Sequence, residues 1–365
     1  MTTAIQSVLH AAQVEVGGEF LEEAGWTWFT TFGDPVGEYE AIRSGVAVWD
    51  VYALQKWDVS GADAQDAIQR TFANNLSTVQ VGQVKYGPFV GADGNMTDDG
   101  TVYKHTDGHF WVMTNGEDYG QRLLDSSPGA SVEVVNRTRE MPVLSVQGPG
   151  SRDLLQALTP HDLSALRYFR FEPERVEVAG VPVWLLRTGF SGELGFELIP
   201  DADRAVELWR SLTERGARPI GLDAIELARV EAGLIIAGVD YLPGETSPLD
   251  LSLDKTIFLG PDVEYAGKDV LAKAAAEPAN RFKTLRIDGG TAPEYGAQVQ
   301  LAGAAVGTVT SPVDSPRFGV IGLAVLRADL AENGQKLEVV VGDGVVTATV
   351  DDLSIHDPEK RKPRS

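Results

Sequence analysis

The chain has no cysteine in 365 residues, and only five histidines and four methionines. Without Cys there can be no disulfide, no thiolate nucleophile, no iron–sulfur ligation and no Cys-based zinc site. Basic residues are also scarce: 31 Lys and Arg stand against 53 Asp and Glu, a net charge of −22. A surface of that sign gains nothing from counterion release on nucleic acid, and an anionic membrane repels it, so neither is an expected partner. No apolar run approaches the about 18 residues of a membrane-spanning helix. The opening MTTAIQSVLHAAQVEVGGEF has no cationic segment and carries Glu15 and Glu19, so it does not read as a secretory signal; a cytoplasmic protein is expected. What the chain does have is apolar material. Hydrophobic residues make up 43%, ample for a core, in a length that favours two or three domains over one.

No repeat of solenoid or propeller length recurs. A helix carrying Glu38, Tyr39 and Ile42 is predicted to end near Arg43-Ser44-Gly45, before two extended runs, VAVWDV and LQKWDVSG. ADAQDAIQRT (62–71) has helical apolar spacing with Asp63 near its start. In 83–115 the turn signals Asp93-Gly94 and Asp107-Gly108 separate three short β-rich runs, the signature of an antiparallel meander. VLSVQGPGSRDLLQALT reads as strand, turn and helix; VEVAGVPVWLLRTG as β structure turning at Gly180. DADRAVELWRSLTER is an amphipathic helix closed by Gly216, and GLDAIELARVEAGL a second one between Gly221 and Gly233. Beyond residue 278 short Val-rich runs alternate with turns, as in a small barrel or sandwich. The polar tail HDPEKRKPRS is expected to fray.

Few residues have the spacing of a catalytic motif. His105 and His109 flank a turn, which puts them on opposing strands and argues for ordinary surface histidines over a metal pair. GPGSRD lacks the third glycine of a dinucleotide loop, and Gly189-Phe190-Ser191-Gly192 is not a nucleophile elbow. The sharpest signal is in the meander's middle strand. Side chains alternate along a strand, so Asp99, Thr101 and Tyr103 share one face. A two-residue loop at Asp93-Gly94 pairs Ala92 with Asn95 and brings Tyr86 opposite Thr101 on that face. An acid, a hydroxyl and two phenols then stand together; a solvated polar face is the alternative. The register leaves Asn115 on either face. TGFSGELGFEL carries three glycines in eight residues, a looped approach to something flat, with Glu193 and Glu197 nearby. Arg229 stands in its helix beside Glu226 and Glu231, where a surface ion pair of little energetic worth is the plain alternative.

Taken in order, these segments resemble the folate-dependent aminomethyltransferase family, the glycine cleavage T-protein and its tetrahydrofolate-dependent demethylase relatives. EYEAIRSGVAVWDV, DGNMTDDGTVY, SVQGP, TGFSGELGFEL, GLDAIELARVEAGL, YAGKDVL and VGTVTSPVDSP each resemble a block of that family, and they span nearly the whole chain. The resemblance implies an α+β, three-lobed fold: two discontinuous α+β domains and a small C-terminal β-barrel around a central folate channel. Residues 1–55 with 142–225 would form the first lobe, 56–141 with 226–278 the second, and 279–365 the barrel. It implies tetrahydrofolate as cofactor, with Asp99 beside the pterin N5 and Glu197 on the pterin's N–H edge. Tyr86, Thr101, Tyr103, Asn115 and Phe190 would line the cofactor. Arg229, counted with Asp99 as catalytic and as a cofactor contact, would lie close to Asp99 and keep it ionised.

Departures fall on the donor side. The family's D-V-S-H-M stands here as Asp50-Val51-Tyr52-Ala53-Leu54, the Tyr of its T-G-Y block is Phe190, and an aromatic near the third lobe is replaced at Lys255. The resemblance therefore favours a transferase moving a methyl or methylene group from a small methylated donor to N5. The glycine cleavage aminomethyltransferase, with a lipoylated carrier protein as partner, is the second reading. A non-catalytic folate-binding protein is the third. A local basic patch at Arg229 and Lys255 is expected to meet the anionic folate tail. The oligomeric state is not legible.

Overall fold

The computed structural model describes residues 4–365; residues 1–3, where the expected first lobe begins, lie outside it. Among the described residues a two-stranded hairpin, Glu19–Glu23 with Trp26–Thr31, stands beside three larger β assemblies. In the first, a six-stranded sheet runs Val176–Val178, Val181–Leu186, Gly195–Pro200, Leu144–Gln147, Ala47–Asp50 and Arg218–Pro219 in spatial order. Val183 and Leu185 alternate inward on their strand and pack with Val146 and Leu198 against Leu208, Trp209 and Leu212 of helix Ala205–Glu214. On another flank, Tyr39 and Ile42 of helix Pro35–Ser44 pack on Ala224, Ile225 and Ala228 of helix Leu222–Glu231. Asp34 caps the former helix, accepting from the Gly37 N–H at 3.0 Å.

The second assembly is the expected meander, Val84–Val90, Met96–Thr106 and His109–Thr114, extended by Gln55–Ser60 and Glu133–Asn136. Tyr86 pairs with Thr101, as the sequence register requires, although the turn differs from the one drawn. The strands part at Val90 and Met96, and the Gly91 N–H closes a longer loop on Asn95 O at 2.9 Å. A bulge between Phe89 and Val90 then takes up one residue and restores the parity. Asp93 shapes this loop by accepting from the Asn95 N–H at 3.0 Å.

The surface reading of His105 is corrected: alternation carries it onto the same strand face as Tyr103, beside a bulge between Lys104 and Thr106, and both rings pack on Phe171. The His105 ring is 7% exposed and lies 4.1 Å from Trp111, 4.7 Å from Phe171 and 5.1 Å from Trp184. Burial pushes the His105 pKa down to about 3, with the neighbouring His109 adding to the effect. Below the ordinary value of 6.5 the unfolded chain takes up a proton there that the folded chain refuses. Stability attributable to this group is therefore lost as pH falls from 6.5 toward 3 and is unaffected above 6.5. His105→Phe should flatten the acid side of the stability profile by one proton's slope, about 1.4 kcal/mol per pH unit. Urea midpoints taken at pH 4, 5 and 7 check this.

The third assembly is a closed six-stranded barrel from Asn280–Ile287 to Gly344–Asp351, filled by Val309, Leu326, Val339 and Val350. Barrel and first sheet meet at Glu231, whose buried carboxylate accepts from Tyr39 at 2.6 Å, Arg43 at 2.9 and 2.7 Å, and Ser315 of the barrel at 2.6 Å. The tail is not frayed. Buried Arg187 donates to Pro363 O at 2.9 Å and Ser365 O at 2.6 Å, and so draws these last residues onto the first sheet. Among the described residues no helix is long and apolar enough to cross a membrane.

Candidate active site

Asp98 and Asp99 point in opposite directions from the middle strand, as alternation demands. Asp98 fixes the backbone: it accepts from Asn115 Nδ2 at 2.9 Å, Gly116 N at 2.9 Å and Arg122 Nη2 at 3.1 Å. Asp99, on the other face, accepts from three neutral donors: Tyr241 Oη at 2.5 Å, Tyr86 Oη at 3.0 Å and Asn115 Nδ2 at 3.1 Å. Asn115 thus bridges both acids. Tyr241 carried no motif signal and was missed; the run Asp240-Tyr241 offers nothing a single sequence could rank.

Among the described residues no cation pairs with Asp99. Burial, reinforced by the charge of Asp98, lifts its pKa to about 6, while the hydrogen bonds from Tyr241, Tyr86 and Asn115 hold it from rising further. This corrects the role expected of Arg229. Its guanidinium is wholly buried, and its donors go to Glu226, Leu234 O at 3.2 Å, Asp240 at 2.7 Å and Ser311 at 2.7 Å. Nor is it a surface pair. Asp240 is itself saturated by Thr310, Ser311 and the Ile236 N–H, so Arg229 ties its helix to the barrel and anchors the segment that delivers Tyr241. Arg229 is a positioning residue; sequence spacing could not show that Asp240 would claim it.

Along the strand from Asp99, the Thr101 hydroxyl donates to Tyr103 Oη at 3.1 Å. The Tyr103 phenol in turn lies against Thr188 and feels Glu197 of the first sheet. Thr188 donates a short hydrogen bond to Glu197 Oε2. No donor among the described residues reaches Glu197 Oε1, and burial raises this carboxyl's pKa against the pull of nearby Lys56. The row Asp99, Thr101, Tyr103, Thr188 and Glu197 therefore joins an acid of the meander to an acid of the first sheet. The glycines of TGFSGELGF serve the close approach there: a Cβ on Gly189 or Gly195 would sit 2.2 Å from the Gln147 amide. Glu193 is buried against Arg43 and His356. Phe190 is half-buried and packs on the cluster of Tyr39, Ala224 and Ala228. Beside Thr188 and Gly189 a cleft is lined by Tyr168, Leu234 and Lys360. Lys360 is exposed and feels the positive charges of Arg364 and Lys255, so Lys255, not Arg229, belongs to a basic cluster.

Two sheets thus each offer a buried acid to one row of hydroxyls, with the barrel locked across them through Ser315 and Glu231. Comparison with known proteins is consistent along the whole chain. Residues 9–260 match the GCVT N-terminal domain and residues 280–357 the glycine cleavage T-protein C-terminal barrel domain. The chain belongs to the glycine cleavage T-protein family, whose members are tetrahydrofolate-dependent transferases. It is 32% identical over 344 residues to the aminomethyltransferase of Thermoanaerobacter sp., covering 91% of this chain and 92% of that one. It is 35% identical over 352 residues to the trimethylamine-oxide aldolase of Ruegeria pomeroyi, covering 91% of this chain but spanning only 44% of that protein's length. The solved aminomethyltransferase T of the Bartonella henselae glycine cleavage system superposes with a TM-score of 0.88 over 98% of this chain and 99% of that one, at 20% identity, and so shares the fold.

Proposed function

We propose that the protein moves a one-carbon unit from a small methylated donor to N5 of tetrahydrofolate, with Asp99 as the group at the reacting nitrogen. The observation that carries this is Asp99 itself: a buried carboxylate held by three neutral donors, without a paired cation among the described residues, and tuned to about 6. Near-neutral tuning is what a proton acceptor at physiological pH needs. The donor set fits the cofactor. A pterin edge presents N–H groups, and Glu197 Oε1 has no donor of its own among the described residues. Tetrahydrofolate, when bound, supplies the nucleophilic nitrogen. Glu197 would hold the ring's N–H edge; Tyr86, Thr101, Tyr103, Asn115 and Phe190 would wall the site; Lys255, Lys360 and Arg364 would meet the anionic tail. Asp99 would accept the proton that the nitrogen sheds. The lobe limits 1–55 with 142–225, 56–141 with 226–278, and 279–365 are proposed with it.

A panel of N-, O- and S-methylated donors given to the purified protein with tetrahydrofolate tests the reading, product mass separating methyl- from methylene-folate. Turnover only with an aminomethylated lipoyl carrier protein would sink the small-donor reading in favour of the glycine cleavage reaction. That second reading is favoured by the near full-length match to proteins named aminomethyltransferase. Glu197→Ala should weaken folate binding by about ten-fold or more, the worth of a charge-assisted bond, as read by equilibrium titration. An unchanged dissociation constant would remove Glu197 from the pterin.

A further inference from the structure

Lys56 carries no motif signal, yet the sheet register puts it in the site. Tyr86 pairs with Thr101, Thr101 with Met113, and Met113 with Lys56. Directly paired residues project from one face of a sheet, so Lys56 ends a row that begins at Tyr86 and crosses the line of Asp99, Thr101 and Tyr103 at Thr101. Its side chain is 0% exposed. Burying an ammonium is unfavourable unless anions answer it, and the direct bonds of this one go to neutral groups: Nζ donates to Val51 O at 2.8 Å and Tyr52 O at 2.9 Å. Two acids of the first sheet lie within reach of its charge, Asp50 and Glu197. Asp50 has donors in its own lobe, Gln13 Nε2 at 2.8 Å and Ser7. Glu197 accepts only from Thr188, on Oε2, and keeps some surface through which a ligand can reach it.

We propose that Lys56 is a positioning residue for the cofactor: from the opposite sheet its ammonium keeps Glu197 ionised, so that Oε1 stays an acceptor for the pterin's N–H edge. The lysine does not meet the ligand; it acts through the carboxylate. Protonation would give Glu197 an O–H and turn the acceptor toward a donor, the wrong partner for an N–H. Burial raises the Glu197 carboxyl, and the Lys56 charge pulls against that rise. A ligand covering Glu197 removes water from it, and in the lower dielectric a fixed cation behind the carboxylate counts for more. The other groups facing Glu197 are the phenols of Tyr103 and Tyr168, both raised by burial and so neutral. Burial holds Lys56 itself down at about 7 and Asp50 up at about 6, so the ammonium is charged on the acid side of neutrality. The plain alternative is a strut that only ties down the two carbonyls after strand Ala47–Asp50. The pterin role rests on the folate reading; the coupling between Lys56 and Glu197 does not.

Lys56→Gln separates the two roles, because its amide can still donate to the Val51 and Tyr52 carbonyls but carries no charge. Lys56→Met, apolar and of similar length, is made beside it and guards against misfolding of the amide. Equilibrium titration of the full chain uses 5-formyltetrahydrofolate, whose acylated N5 takes no proton, from about pH 5 to about pH 8. Both variants should bind several-fold more weakly than the unaltered chain at the acid end and converge with it at the alkaline end, where Glu197 is ionised in all three. On a Glu197→Gln background the same changes should leave the profile where it is, whereas a limb owed to Asp50 would survive there. An acid limb unmoved by Lys56→Gln, or moved equally without Glu197, leaves only the strut and overturns the proposal. NMR of isotope-labelled glutamate follows Glu197 without folate, the Glu197→Gln variant assigning its signal, and the midpoint should rise in Lys56→Gln. A midpoint that rises in a chain taking up no folate removes the folate reading and keeps the coupling. Folate uptake with a midpoint that stays put removes the coupling alone.

Discussion

Asp99→Asn should lower one-carbon transfer by about 10²–10⁴-fold, the range set by a single positioned proton acceptor, while folate affinity stays within a few fold. The substitution is nearly isosteric, and Tyr86, Tyr241 and Asn115 remain to hold the side chain. The pH profile makes the test specific. Asp99 is raised to about 6 by burial, so it is protonated and inactive below that value and ionised above it. The rate should therefore fall ten-fold per pH unit below about 6 and level off above, where a solvated Asp would break near 3.9. Asp99→Asn should erase that limb. Tyr241→Phe should move the break upward, because the Tyr241 hydroxyl is the strongest of the bonds favouring the ionised form. A limb that persists in the Asn variant would assign the break to another group and remove Asp99 from proton transfer.

Much of this site was legible in the sequence for a simple reason: strand alternation and turn chemistry act over a few residues. They put Asp99, Thr101, Tyr103 and Tyr86 on one face, and the register survived because a bulge compensated for a longer loop. What stayed illegible depends on distant partners. Tyr241 reaches Asp99 across 142 positions of sequence, and Asn115 bridges both acids only because the third strand fixes its place. His105 looked like an exposed residue beside a turn because nothing local shows that Phe171 and Trp184 cover that end of the strand. The tail looked disordered by composition, but Arg187, far upstream, collects its carbonyls. Local rules assign faces; they do not assign which buried charge answers which.

Arg229 shows the cost of that gap, and its replacement carries the largest expected effect on stability. Arg229→Met leaves Asp240 buried without its cation, at about 3–5 kcal/mol, although Thr310, Ser311 and the Ile236 N–H still reach its carboxylate. Adding Asp240→Asn removes the uncompensated charge and should recover part of that loss, so the two changes are non-additive in urea unfolding. The effect on catalysis should pass through Tyr241, which follows Asp240 directly. Arg229→Met alone should lower turnover and shift the pH break upward. On a Tyr241→Phe background it should leave the break where that variant already puts it. If the guanidinium instead stabilised the Asp99 anion by direct charge, the break would move again on the Phe background, and Asp240→Asn would rescue nothing. Those opposite outcomes decide whether this arginine is a strut or a counter-ion, and its saturated hydrogen bonds to Glu226, Leu234, Asp240 and Ser311 favour the strut.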